Sequence, residues 1–88
     1  MDQRTFENLL RDEGYQQPVI VEREPNGRLG RHTHPFEAKA LILNGWIAIE
    51  TEGQTRVYQA GDTFHLAAEE AHSESYGPDG VRYLAGRR

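Results

Sequence analysis

Apolar positions along the chain change their period once. Within residues 2–13, Phe6, Leu9 and Leu10 recur at i, i+3 and i+4 among polar and charged residues, the spacing of one helical face. Asp2 stands where a side-chain oxygen can cap the first free backbone N–H groups, and Gly14 supplies a left-handed stop. A helix of about 12 residues is marginal alone, so this one is expected to dock on the domain or on a partner subunit.

From Pro18 onward the apolar positions follow the two-residue period of strands. Val19–Glu24 is β-rich and ends at Pro25-Asn26-Gly27, a strong turn signal. Leu29–His34 is extended. Ala38–Leu43 is mostly apolar and closes at Asn44-Gly45, a pair that favours a two-residue hairpin. Trp46–Thr51, Thr55–Tyr58 and Thr63–Leu66 follow, separated by turns at Glu52-Gly53 and Ala60-Gly61-Asp62. After the loop 67–71, His72–Tyr76 is extended and turns at Gly77–Gly80 into a last strand, Val81–Ala85. Seven or eight short strands with frequent turn signals indicate an all-β fold. The expected architecture is a small antiparallel β-sandwich or β-barrel over about residues 18–86, with one short N-terminal helix, in a single domain spanning 1–88.

Composition narrows the chemistry. The chain lacks cysteine, which removes disulfides, thiolate nucleophiles and iron–sulfur clusters together. Its net charge is −4 and its one basic pair, Arg87-Arg88, reads as a solvated tail, so neither nucleic acid nor an anionic membrane is an expected partner. Met1-Asp2-Gln3-Arg4 leads to no apolar segment of a secretory signal, and no apolar run approaches the about 20 residues of a membrane span. A cytoplasmic protein is expected. Histidine, carboxylates and tyrosine are left to carry any metal or acid–base chemistry.

His32-Thr33-His34 is the first place where such chemistry concentrates. In an extended segment both imidazoles project to one face, with Cα atoms about 6.5 Å apart, near enough to share a metal ion. The spacing around this pair resembles that of the cupins, small double-stranded β-helix barrels with the motifs G-x5-HxH-x3,4-E-x6-G and G-x5-P-x-G-x2-H-x3-N. His32 and His34 match the histidine pair, Gly45 the closing glycine, Gly61 the opening glycine of the second motif, and His72 its histidine. Residues 46–60 separate the motifs, a short spacing that suits compact members. The resemblance covers residues 26–76 and implies a three-histidine metal site at His32, His34 and His72.

The departures from that pattern are specific. Ala38 and Lys39 occupy the positions of the first motif's glutamate, and Glu37 stands one residue early, with the wrong parity to join His34 on an uninterrupted strand. Ala67, Glu69 and Tyr76 replace the second motif's Pro, Gly and Asn. If His72 faces the barrel interior, Glu74 and Tyr76 share its face. Glu74 is then a hydrogen-bond partner of an imidazole, an acid–base group, a direct ligand, or simply a surface carboxylate. Water, Glu74 and Glu37 all stay open as the fourth ligand.

His65 alternates with Phe64 and Leu66, so it is expected to face outward and take no part. Phe36 shares parity with His34 and is expected to line the cavity, with Tyr58, Tyr76 and Tyr83 as further lining or core residues. Trp46, or the outward side of Leu41 and Leu43, is expected to anchor a homodimer.

Three imidazoles suit Fe, Mn, Ni, Zn or Cu in the divalent state. The cupin resemblance implies a dioxygenase-like enzyme acting on a small metal-chelating ligand such as an enol, catechol, hydroxy acid or thiol. Glu74 or Tyr76 would instead move a proton in a metal-dependent isomerase or lyase. The competing class is a binding or sensing module that holds metal and ligand without turnover.

Overall fold

A computed structural model describes residues 1–88. Helix α1 spans Gln3–Asp12, and the Asp2 carboxylate accepts from the Thr5 N–H at 2.8 Å, the expected cap. Gly14 ends it in the left-handed region. Six strands follow: β1 Val19–Arg23, β2 Arg28–His32, β3 Ala38–Thr51, β4 Gln54–Gln59, β5 Thr63–Leu66 and β6 His72–Arg87.

All pairings are antiparallel, and β3 and β6 form the spine. The first half of β3 pairs with the second half of β6, flanked by β5 and β1. The second half of β3 pairs with the first half of β6, flanked by β4 and β2. The two long strands thus pass from one leaf of the barrel to the other.

This arrangement corrects two expected turns. Asn44-Gly45 is no hairpin, and 77–80 is no turn between separate strands; both lie inside continuous strands. The reason is tertiary. Both halves of β3 find partners on the same strand, with register shifts between Ile42 and Asn44 and between Gly45 and Ile47. There the ladder bends. Gly45 and Gly80 both have positive φ, and a Cβ on Gly45 would run into the Gly80 carbonyl. Glycine is required because two backbones cross there, not because the chain reverses.

Ten buried residues fill the space between the leaves, among them Ala40, Ile42, Ile47, Ile49, Phe64, Tyr76 and Tyr83. A second cluster lies outside the barrel, where Phe6, Leu10 and Tyr15 cover Leu41 and its cross-strand partner Leu84. Burying Phe6 and Leu10 contributes about 1.5–3 kcal/mol each, enough to hold a helix too short to persist alone. Gly86 leaves room for this packing, since a Cβ there would press within 2.9 Å of a Leu10 methyl. Leu41, expected to offer an outward apolar face, is therefore only 1% exposed and Leu43 half-buried, both under the chain's own helix.

Arg87 and Arg88 are no solvated tail either. The Arg88 backbone exchanges hydrogen bonds with Glu37, at 2.9 and 3.0 Å, and Arg87 closes β6. No helix is long and apolar enough to cross a membrane.

Candidate metal centre

The site lies where β2 ends and β6 begins. His32 is the last residue of β2 and stands directly opposite His72, the first of β6. The expected strand through His34 stops short, and His34 sits in the bend beyond β2, with its carbonyl fixed by the Glu69 N–H at 2.7 Å. All three rings nevertheless converge. Their centroids are 4.8 Å (His32–His34), 4.2 Å (His32–His72) and 5.3 Å (His34–His72) apart. Glu74, two residues along the same face of β6, completes a group of four donors whose ligand atoms all lie within 4.8 Å of one another.

Hydrogen bonds settle which imidazole nitrogen faces the centre. His32 Nδ1 lies 2.6 Å from the Gly30 carbonyl oxygen and His72 Nδ1 lies 2.9 Å from that of Glu70. A carbonyl only accepts, so both Nδ1 atoms carry hydrogen and both rings turn Nε2 inward. His72 Nε2 is 3.1 Å from Glu74 Oε2, and His32 Nε2 is 3.6 Å from the same oxygen. Two Nε2 atoms thus face one carboxylate oxygen, and His32 Nε2 is buried without a hydrogen-bond partner. Only a proton or a cation between them satisfies such a set.

The donors fit a divalent transition metal. Bonds of about 2.1 Å place donors on opposite sides of an ion about 4.2 Å apart, so the observed spacing closes with small shifts. Three neutral imidazoles and one carboxylate would leave a bound ion with net charge +1. Burial, with the neighbouring His32 and His72 next, holds the His34 pKa below its ordinary value, which keeps its lone pair available.

The surroundings position these donors. The Tyr76 hydroxyl donates to Glu74 Oε1 at 2.9 Å, leaving Oε2 turned to the histidines. Burial and then the Glu74 charge push the Tyr76 phenol up, so it stays a donor. The same two causes raise the Tyr83 phenol to about 12. The Phe36 ring stacks on His34 at 4.9 Å between centroids, and the Arg87 guanidinium lies over the Phe36 ring, 4.6 Å from its centroid. Phe36 and Tyr83 line a cavity of about 70 Å³ that also reaches His34 and Glu74, as expected of them. Tyr58 instead packs against Phe64 in the core.

Glu37 and His65 belong elsewhere. Glu37 accepts from Arg88 at 2.6 Å and pairs closely with His65, and these contacts hold its carboxyl at about 2. Arg88 in turn donates to the Glu13 carbonyl and stacks on Tyr15 at 4.5 Å. The carboxylate that the motif leads one to seek near residue 38 is thus a clamp on the chain end, while His65 is exposed and outward, as its parity indicated. Two charged cavity residues escaped the sequence reading, Arg23 and Arg87. Their parity with Val21 and with Tyr83 and Ala85 was the available signal.

No family profile and no curated protein matches the chain. Solved structures do. An RmlC-like cupin from Shewanella frigidimarina superposes with TM-score 0.68 at 17% identity, over 81% of this chain and 64% of that one. KdgF from a Halomonas species gives 0.67 at 21%, over 80% and 67%. The cupin domain of Cnp3 from Schizosaccharomyces pombe gives 0.73 at 17%, over 85% and 56%. The chain thus spans less than two thirds of the Shewanella and Schizosaccharomyces chains it matches. With six strands bent across two leaves and this likeness at low identity, the protein has the cupin fold, an antiparallel double-stranded β-helix.

Proposed function

We propose that the chain binds a divalent transition metal through His32, His34, His72 and Glu74 and acts, in the manner of a dioxygenase, on a small metal-chelating ligand. The observation that supports this reading most is the convergence of the His32 and His72 Nε2 atoms on a buried carboxylate oxygen, with one of them unpartnered. Glu74 takes over the ligand role that Ala38 and Lys39 leave vacant in the first motif. When bound, a redox-active metal supplies electron transfer toward substrate and oxygen, and a redox-inert one supplies a Lewis acid.

The chain's own residues do the rest. The Gly30 and Glu70 carbonyls fix two imidazoles, Tyr76 orients Glu74, and Phe36 with the apolar cavity wall keeps bulk water from the bound ligand. Elemental analysis of untagged protein tests the centre: about one metal per chain is expected, falling sharply in His32→Ala and His72→Ala. Full stoichiometry in both variants would refute it. With iron or copper bound, oxygen uptake on hydroxy acids and enols is expected.

One contact favours a second reading. The proton held between Tyr76 and Glu74 lies beside the cavity, which suits an isomerase or lyase. Solvent deuterium entering a substrate without oxygen consumption selects it, and binding with neither reaction selects a sensing module. Pairing of two copies belongs to the same proposal. Trp46 is 37% and Val57 60% exposed, and the register places both on the outer face of the β3–β4 ladder.

A further inference from the structure

The cavity beside the histidines carries two guanidinium groups that the metal centre does not use. Arg23 ends β1 on the face of Val21, and Arg87 ends β6 on the face of Tyr83 and Ala85. Both line the cavity that reaches His34 and Glu74. Both charges act on the Tyr83 phenol, Arg23 also stands beside the Tyr76 hydroxyl, and Arg87 is held over Phe36.

Neither arginine has an ion-pair partner, whereas Arg82 pairs with Glu22 and Arg88 with Glu37. Glu74 is the only acidic residue lining the cavity. Two guanidiniums against one carboxylate make the cavity positive even before a metal adds its charge, inside a protein whose net charge is −4. That contrast draws a small anion to this place.

We infer that Arg23 and Arg87 form the carboxylate-binding end of the ligand cavity, and that the ligand is a small carboxylic acid with an oxygen on the adjacent carbon, a 2-hydroxy or 2-oxo acid. The planar N–H donors of arginine match a carboxylate, while the neighbouring oxygen reaches toward the histidines and Glu74. Size agrees, since the cavity is small, about 70 Å³, and suits a compact ligand such as a two-carbon acid. The inference rests on the proposed metal centre only for the hydroxyl or keto end; the arginine end stands on its own residues.

Calorimetric titration with glycolate and with glycolamide, its uncharged isostere, tests it on zinc-loaded and on chelator-stripped protein. Glycolate is expected to bind zinc-loaded protein at least about tenfold more tightly than glycolamide. Arg23→Gln and Arg87→Gln should each weaken glycolate about tenfold or more, with glycolamide binding, zinc content and melting temperature unchanged. Both arginines are exposed residues, so the fold is expected to survive substitution. Equal affinity for acid and amide, no glycolate binding at millimolar concentration, or wild-type affinity in the double variant overturns the inference. Failure of the metal centre reads out separately: wild-type protein that takes up no zinc, yet binds glycolate in an arginine-dependent way when stripped, removes the centre and keeps the anion site.

Discussion

Replacing Glu74 by glutamine separates a metal ligand from a stabilising carboxylate. The side chain is 7% exposed, accepts from Tyr76 at 2.9 Å, and presents its other oxygen to His72 Nε2 at 3.1 Å. Glutamine keeps the length, still accepts from Tyr76 and can donate its amide N–H toward an imidazole, but it cannot ligate as an anion. Metal-free Glu74→Gln should therefore stay within about 1 kcal/mol of metal-free wild type, the net worth of one buried hydrogen bond. For a domain of this size that is at most about 4–8 °C in melting temperature. With zinc the two separate. Free zinc at about a thousand times Kd adds about 4 kcal/mol, or roughly 16–30 °C. A hundredfold loss of affinity at the same free zinc leaves only about 1.4 kcal/mol, or roughly 6–11 °C. Differential scanning calorimetry in buffered zinc and in chelator measures both. A variant that gains as much from zinc as wild type would refute the role assigned to Glu74.

Three further outcomes follow from the rest of the molecule. Glu37 is held at about 2 against an ordinary 4.5, so its contribution is present above that ordinary value and lost as pH falls through about 2; in urea titrations the gap between wild type and Glu37→Gln should be constant near neutrality and close across that interval. Gly45→Ala combines a positive φ with a collision against the Gly80 carbonyl, and should cost about 2–4 kcal/mol in the same assay, with a loss near zero arguing against the strand crossing. Trp46→Lys together with Val57→Lys should shift sedimentation from dimer to monomer at unchanged stability, and a wild-type monomer at micromolar concentration excludes this pairing.

How far the sequence reaches differs from element to element, for physical reasons. The helix was legible because its cap, its apolar face and its stop are all local, and Asp2, Phe6, Leu10 and Gly14 act as their spacing indicates. The strands were legible in kind but not in number. Asn44-Gly45 carries a hairpin signature that is local, while the continuous β3 it lies within is held by cross-strand bonds to β6 and a glycine far along the chain. Leu41 read as an outward apolar face because nothing local says that α1 returns to cover it.

The site divides in the same way. Period-2 alternation placed His72, Glu74 and Tyr76 on one face, since side-chain direction along a strand is set residue by residue. It also turned His65 away, and the hydrogen-bonded His65–Glu37 contact lies outside the cluster. What only the tertiary structure decided was which carboxylate meets the histidines. Glu37, nearer in sequence, is drawn off by Arg88, whereas Glu74 arrives because β2 and β6 lie in register at His32 and His72. Composition and alternation determine which residues can face a common interior. The pairing of distant strands determines which of them meet there, and that Nε2 of His32 and of His72 both face Glu74 Oε2.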